Sequence, residues 1–155
     1  MKFGCVIPAR YGSTRLPGKP LADIAGKPMI ERVYDRVSQA TKTACTIVAT
    51  DDDRVYSAVQ QFGGTVMMTD PNHPTGTDRL AEVASHYTDL DVVINVQGDE
   101  PMIDPNLIDD LARLFEEDPN LQMATVATPL LEEEYEEPSA VKVILNNRND
   151  AMYFS

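Results

Sequence analysis

The chain has 155 residues, a formal net charge of −12 and 43% hydrophobic residues, and this length suffices for one domain with a sizeable core. The acidic balance argues against general affinity for nucleic acid or for an anionic membrane surface. No apolar run approaches the roughly 20 residues of a membrane-spanning helix, and no secretory signal follows Met1, so we expect a cytoplasmic protein without a membrane partner.

Apolar runs alternate with amphipathic segments along the chain. The runs predicted as strands are 3–7, 46–50, 65–68, 92–96, 121–126 and 140–145. Four intervening segments carry apolar side chains at helical spacing, and the predicted core faces are Ile30, Val33 and Val37; Val55, Ala58, Val59 and Phe62; Leu80, Val83, Ala84 and Tyr87; and Leu107, Leu111 and Leu114. This alternation predicts an α/β fold with a doubly wound, mostly parallel sheet and helices on both faces. Ligands of such sheets bind beyond the carboxyl ends of the strands.

The two cysteines, Cys5 and Cys45, both lie in apolar runs that resemble strands. This placement favours two buried free thiols over a disulfide or a metal site.

A basic loop follows the first predicted strand. Segment 9–20 contains Arg10, Arg15 and Lys19 together with two glycines and two small hydroxyls, and it has no acidic residue. Backbone freedom and positive charge at a strand end suit a polyphosphate. The spacing does not fit a P-loop, and no G-x-G-x-x-G fingerprint is present. The alternative, in which the three cations only solvate an exposed loop, is weaker because an acidic protein concentrates them here.

A second polar segment, 95–101, closes the fourth predicted strand with Gly98, Asp99 and Glu100. Magnesium ions are typically held by one or two carboxylates plus substrate phosphates, so Asp99 is the candidate metal ligand. On local grounds alone, an Asp that caps a turn after Gly98 is a serious competitor. Glu100 is the weaker candidate, since adjacent side chains of an extended segment diverge.

A third segment, 74–79, opens a predicted helix, where backbone N–H groups and hydroxyls can bind a base or ribose. Considered alone, Thr77 is equally well explained as a simple N-cap. His73 and His86 are isolated from any cysteine and suggest neither a metal site nor a catalytic triad.

With these segments the chain resembles the 3-deoxy-manno-octulosonate (Kdo) cytidylyltransferases. The matching stretches are 7–21, 73–79, 95–101 and 138–143, and the resemblance runs from Met1 to Ser155. It implies a fold like that of the nucleotide-diphospho-sugar transferases. It also implies that CTP and Kdo give CMP-Kdo and pyrophosphate with Mg²⁺, for activation of a lipopolysaccharide sugar.

The resemblance also implies roles for individual residues. The expected catalytic residues are Arg10, Lys19 and Asp99, with Arg10 and Lys19 on the CTP phosphates and Asp99 on Mg²⁺. The expected nucleotide-binding residues, which line the phosphates, cytosine and ribose, are Pro8, Ala9, Arg10, Arg15, Lys19, Thr75, Gly76, Thr77, Arg79 and Gln97.

The family's pattern continues beyond Ser155. We therefore expect 1–155 to be one nucleotide-binding α/β domain that is truncated at its C-terminal end. On this expectation the chain alone is inactive and the complete chain is a homodimer. The nearest rivals are another sugar nucleotidyltransferase, such as an acylneuraminate cytidylyltransferase, and a nucleotide-binding module without catalysis. A dehydrogenase is a poor third, because the glycine fingerprint is missing.

Overall fold

The computed structural model describes residues 1–12 and 16–155. It divides into two compact units, Met1–Leu121 and Gln122–Ser155, which are described in turn. The prediction that 1–155 form one truncated domain stays a prediction.

The first unit is built on a four-stranded parallel sheet. The strands of this sheet are β1 (Phe3–Pro8), β4 (Thr43–Thr50), β5 (Thr65–Met68) and β6 (Val92–Asn95). A separate small antiparallel pair, β2 (Asp23–Ile24) and β3 (Lys27–Pro28), lies between β1 and β4 in the sequence. The main sheet has the order β5–β4–β1–β6, and all its pairs are parallel. The four strands predicted in this part of the sequence are confirmed. Because β1 lies between β4 and β6, the chain reverses direction across the sheet at β1, which is where such folds bind ligands.

Four helices cover the two faces of this sheet. They are α1 (Met29–Val37), α2 (Asp53–Gln61), α3 (Gly76–His86) and α4 (Pro105–Glu117). Alternate residues of β1 separate the two sides, since Cys5 and Ile7 pack with α1, α2 and α4, whereas Val6 packs with Leu80 and Val83 of α3. The predicted doubly wound arrangement is therefore confirmed.

The helix N-termini follow local capping rules. Asp52 accepts a hydrogen bond from the Arg54 amide at the start of α2, and Asp104 accepts one from the Asn106 amide at the start of α4. Helix α3 begins with a capping box in which Thr75 and Asp78 exchange hydrogen bonds. The alternative interpretation of Thr77 as the N-cap was therefore wrong by two positions.

The core face predicted for helix α4 is confirmed only at Leu111, which is half-buried and packs against the core. Leu107 and Leu114 are exposed, and the buried positions are Ile108, Asp109 and Ala112. The Asp109 carboxylate accepts hydrogen bonds from the backbone N–H groups of Thr41 and Lys42, and these bonds make the burial of a charged group tolerable. An apolar periodicity could not anticipate a buried face that includes a carboxylate.

The second unit, Gln122–Ser155, contains an antiparallel pair, β7 (Val143–Leu145) and β8 (Ala151–Phe154), and a short 3-10 helix at Glu132–Glu134. The prediction of a strand at 140–145 is confirmed only for its second half. The prediction of a strand at 121–126 was wrong, since these residues belong to no strand. Strand propensity alone does not form a strand without a pairing partner.

Among the described residues, none of the helices is both long and apolar enough to cross a membrane. Both cysteines are free; Cys5 is buried and Cys45 is half-buried. Burial raises the pKa of the Cys5 thiol to about 12, so it is protonated and unreactive at neutral pH.

Candidate functional site

Three polar segments meet around Pro8 at the carboxyl end of β1. A Cβ added to Gly76, the first residue of α3, would lie 3.8 Å from Pro8 Cγ. A Cβ added to Gly98, which follows β6, would lie 2.8 Å from the Pro8 carbonyl oxygen. The close approach at Gly98 leaves no room for a side chain, because the obstacle is backbone. The three motifs that the sequence analysis singled out are therefore neighbours in space.

The basic loop leaves β1 in a fixed direction. The Ala9 amide donates to the Ala49 carbonyl at 2.8 Å and so extends the contact between β1 and β4 by one residue. Farther along, the Gly18 amide donates to the Tyr11 carbonyl at 2.9 Å. Gly18 has a φ of 73°, in the left-handed region that favours glycine, and it precedes a 3-10 helix at Lys19–Leu21. Lys19 therefore lies at the start of a short ordered element.

Arg54, on α2, holds the aromatic ring of this loop. Its guanidinium lies 3.3 Å from the centroid of the Tyr11 ring, a cation–π contact. The same guanidinium donates to both carboxylate oxygens of Asp52, at 3.0 and 2.6 Å. These hydrogen bonds from Arg54 hold the pKa of Asp52 below its ordinary value. Asp52 thus orients the planar guanidinium of Arg54 against the Tyr11 ring.

Lys19 and Asp99 form an ion pair across the site. Lys19 Nζ lies 2.6 Å from Asp99 Oδ2, although the two residues are 80 positions apart in the sequence. Both side chains reach solvent, with exposed fractions of 37% and 48%. The contact joins the basic loop to the segment after β6, the two segments from which a phosphate site and a metal ligand were predicted.

A second ion pair lies beneath the surface at the end of β4. The Arg79 side chain is 0% exposed and its Nη2 donates to Asp51 Oδ2 at 2.6 Å. Its Nη1 donates to the hydroxyl of Thr69, which in turn donates to the Thr50 carbonyl. Among the described residues, Arg79 Nε has no hydrogen-bond partner. Arg10 Nε lies 3.6 Å from the same Asp51 oxygen.

The sequence analysis missed Asp51 as a site residue. The available signal was its position, because Asp51 follows β4 directly, as Arg10 follows closely on β1 and Asp99 on β6. Residues at corresponding strand ends meet at one edge of a parallel sheet.

The segment before α3 is braced by its own polar contacts. Glu82 Oε2 accepts from the Asp70 amide at 2.9 Å and lies 2.6 Å from His73 Nε2. The Asp70 amide and His73 together hold the pKa of Glu82 below its ordinary value. This brace and the capping box at Thr75 fix the turn that brings Gly76 to Pro8.

The remaining predicted residues are distributed over this edge. Ala9 is buried, while Thr75, Thr77 and Gln97 are exposed. Arg15 lies outside the described residues. The structure brings the three segments together, and the roles expected of the individual residues stay predictions.

The site can be tested for its fit to a metal ion. The described residues contain no cluster of three or more His, Cys, Asp or Glu side chains that could hold one. Asp99 offers a single half-exposed carboxylate. A hard cation that takes one protein carboxylate and completes its shell with phosphate oxygens and water fits this arrangement; a site made only of protein ligands does not.

Residues 4–155 match the sequence profile of a family described as cytidylyltransferase. The chain is 52% identical over 156 residues to the 3-deoxy-manno-octulosonate cytidylyltransferase of Syntrophotalea carbinolica, covering 100% of this chain and 62% of that protein. It is 55% identical over 150 residues to the Escherichia coli protein of the same name, covering 97% of this chain and 61% of that protein. The chain thus spans about 60% of the length of these curated relatives.

A solved structure gives a similar result. The structure of CMP:2-keto-3-deoxy-manno-octonic acid synthetase complexed with CTP superposes with a TM-score of 0.96 at 54% identity. The superposition covers 100% of this chain and 64% of that one.

Proposed function

Since the chain belongs to the cytidylyltransferase family, we propose that its protein transfers cytidylate from CTP to Kdo and releases pyrophosphate. The single observation that carries the proposal is the convergence at Pro8, where the basic loop, the start of α3 and the segment bearing Asp99 meet. The identity of about half of all positions with proteins named Kdo cytidylyltransferases supports Kdo as the acceptor.

The proposed reaction needs positioning more than covalent chemistry. A hydroxyl oxygen of Kdo forms a bond to the α-phosphorus of CTP, the bond from that phosphorus to the bridging oxygen breaks, and pyrophosphate leaves with the electron pair. The hydroxyl proton passes to solvent. Arg10 and Lys19 would neutralise the negative charge of the triphosphate and hold it in line for attack. No covalent nucleophile is required.

We include Mg²⁺ in this proposal, with Asp99 as its ligand from the described residues. When bound, the ion would supply charge neutralisation at the phosphates. Lys19 and Asp99 are paired with each other in the structure. Binding of the nucleotide with its metal would therefore replace one ion pair by two: Lys19 with phosphate and Asp99 with the cation.

The other parts of the proposal concern recognition and assembly. Pro8, Ala9 and the segment from Thr75 to Thr77 would contact the cytosine and ribose, and Gln97 would lie between nucleotide and sugar. We also propose that the whole protein is a cytoplasmic homodimer, and that its product is an activated sugar for lipopolysaccharide. These statements rest on the resemblance to the relatives.

A pyrophosphate-release assay on the full-length gene product tests the proposal. We expect release with CTP and Kdo, and much slower release when UTP, GTP or ATP replaces CTP. N-acetylneuraminate in place of Kdo is the control for a different acceptor. Faster turnover with N-acetylneuraminate would indicate an acylneuraminate cytidylyltransferase. CTP binding without turnover of any sugar would indicate a non-catalytic module.

A further inference from the structure

We propose that Asp51 is a positioning residue, which orients Arg10 for the triphosphate and is itself held in place by the buried Arg79. This inference rests on the proposed function, because it assigns Arg10 to the phosphates. It assigns a role to Asp51, which the sequence motifs did not include. It also makes Arg79 a support for Asp51 rather than a residue that contacts the nucleotide.

The first step is the rigidity of the anchor. Arg79 is fully buried and donates through its two Nη groups to Asp51 and Thr69. A guanidinium fork bound at both ends has little rotational freedom. Thr69 is bound to the backbone of Thr50 at the end of β4, so the anchor is tied to the sheet.

The second step is the shared carboxylate oxygen. Asp51 Oδ2 receives Arg79 Nη2 at 2.6 Å and lies 3.6 Å from Arg10 Nε. The Asp51 side chain is only 13% exposed, whereas that of Arg10 is 45% exposed. Arg10 therefore has one side near a fixed anion while its guanidinium remains accessible to a ligand. A partner of this kind reduces the conformational freedom that Arg10 would lose on binding a phosphate.

The third step is to separate the effect of an Asp51 substitution on the position of Arg10 from its effect on the stability of the protein. Asp51 also compensates the buried charge of Arg79, so its replacement lowers the stability of the protein in any case. A loss of folded protein lowers the apparent kcat but leaves the KM for both substrates unchanged. A misplaced Arg10 raises the KM for CTP and leaves the KM for Kdo unchanged.

The experiment is a double-mutant cycle on Asp51 and Arg10 in the full-length gene product, with CTP and Kdo as substrates. The variants are Asp51→Asn, Arg10→Ala and the combination of both. We expect Asp51→Asn to lower kcat/KM for CTP by about 10- to 100-fold, mainly through KM. In the Arg10→Ala background the same substitution should change kcat/KM by about twofold at most, because the residue through which it acts is already gone.

Two further variants complete the test. Asp51→Glu keeps the charge that compensates Arg79 but moves it by one methylene, so the protein folds while Arg10 is displaced, and KM for CTP should still rise. Asp109→Asn removes a buried carboxylate that binds the backbone of Thr41 and Lys42, before the start of β4. It is the control for lost stability and should leave the KM for CTP unchanged.

The outcomes are distinguishable. If Arg10→Ala leaves kcat/KM unchanged, the loop assignment fails and the proposed phosphate site fails with it. If Arg10→Ala impairs turnover but Asp51→Asn has the same effect in both backgrounds, the phosphate site stands and the positioning role is refuted. An unchanged KM for CTP in Asp51→Glu also refutes it.

Discussion

Two ion pairs at the same edge of the sheet differ in burial and, we argue, in task. The first, the rim pair of Lys19 and Asp99, has side chains that are 37% and 48% exposed. The second, the floor pair of Arg79 and Asp51, has side chains that are 0% and 13% exposed. Both have a 2.6 Å contact, so distance alone does not separate them.

The difference lies in what can replace each partner. The charges of the rim pair are hydrated, and an exposed ion pair contributes little to stability. Lys19 can therefore leave Asp99 for a phosphate, and Asp99 can leave Lys19 for a cation, at little cost in free energy. In the floor pair the Arg79 charge cannot be hydrated without opening the protein, and leaving it unpaired would be strongly destabilising. We infer that the rim pair is the exchangeable part of the site and the floor pair is its fixed support.

The largest expected effect is on stability, at the floor. Asp51→Ala should lower the free energy of unfolding by about 3–5 kcal/mol, because it leaves the Arg79 charge buried without its partner. Asp99→Ala should change it by less than about 1 kcal/mol. Urea denaturation of both variants measures the contrast. Equal losses of unfolding free energy in Asp51→Ala and Asp99→Ala would contradict the distinction between the rim pair and the floor pair.

The next effect is on turnover, at the rim and the adjacent loop. Lys19→Ala and Arg10→Ala should each remove roughly 3 kcal/mol of transition-state stabilisation, as expected for the loss of one preorganised electrostatic contact. Lys19→Arg should also impair activity, because a compact ammonium and a planar fork are not interchangeable. Steady-state kinetics with CTP and Kdo provide the measurement. Near-wild-type kcat/KM in both alanine variants would contradict the assignment.

Asp99→Asn should raise the Mg²⁺ concentration for half-maximal activity by about tenfold or more, which is roughly 1.4 kcal/mol. The substitution keeps the shape of the side chain and removes the charge that binds a hard cation. Glu100→Gln is the matched control and should have a smaller effect on a Mg²⁺ titration. A larger shift in Glu100→Gln than in Asp99→Asn would indicate that Glu100, not Asp99, is the Mg²⁺ ligand.

The smallest expected effect concerns Arg54, whose guanidinium stacks on Tyr11. Arg54→Ala should weaken CTP binding by about twofold to fivefold, because one cation–π contact with the loop is lost. Hydrogen exchange of the Gly18 amide, which donates to the Tyr11 carbonyl, should become faster in the variant. Unchanged exchange would show that the loop keeps its shape without Arg54.

Much of the fold could be predicted because its signals are local. The strands at 3–7 and 92–96 are nearly continuous apolar runs, as expected for strands covered on both faces. The wrong predictions depended on partners elsewhere. Residues 121–126 have strand-like composition but pair with no strand in the described part of the chain. The buried face of α4 includes Asp109, whose hydrogen-bond donors lie in another segment.

The site divides in the same way. Lys19 and Asp99 could be selected by chemistry because each stands in a conspicuous polar motif after a strand. Their contact could not be selected, since it depends on how β1 and β6 pair. Arg79 stands in the third motif, but its partners Asp51 and Thr69 were missed because they belong to no motif. Only the folded chain shows one Asp51 carboxylate oxygen close to two arginines.

The position of β6 in the sheet has a consequence for the order of assembly. It pairs with β1, with Phe3 opposite Val92, so the neighbour of the first strand on that side is made late. A chain that emerges from the ribosome N-terminus first can pair β1 with β4 well before Asp99 exists. On the proposed function, CTP could not guide that early pairing, because the segment that carries Asp99 would still be missing. A nucleotide bound as proposed could bind only once β6 has joined β1, and by mass action it would then favour the four-stranded sheet over shorter intermediates.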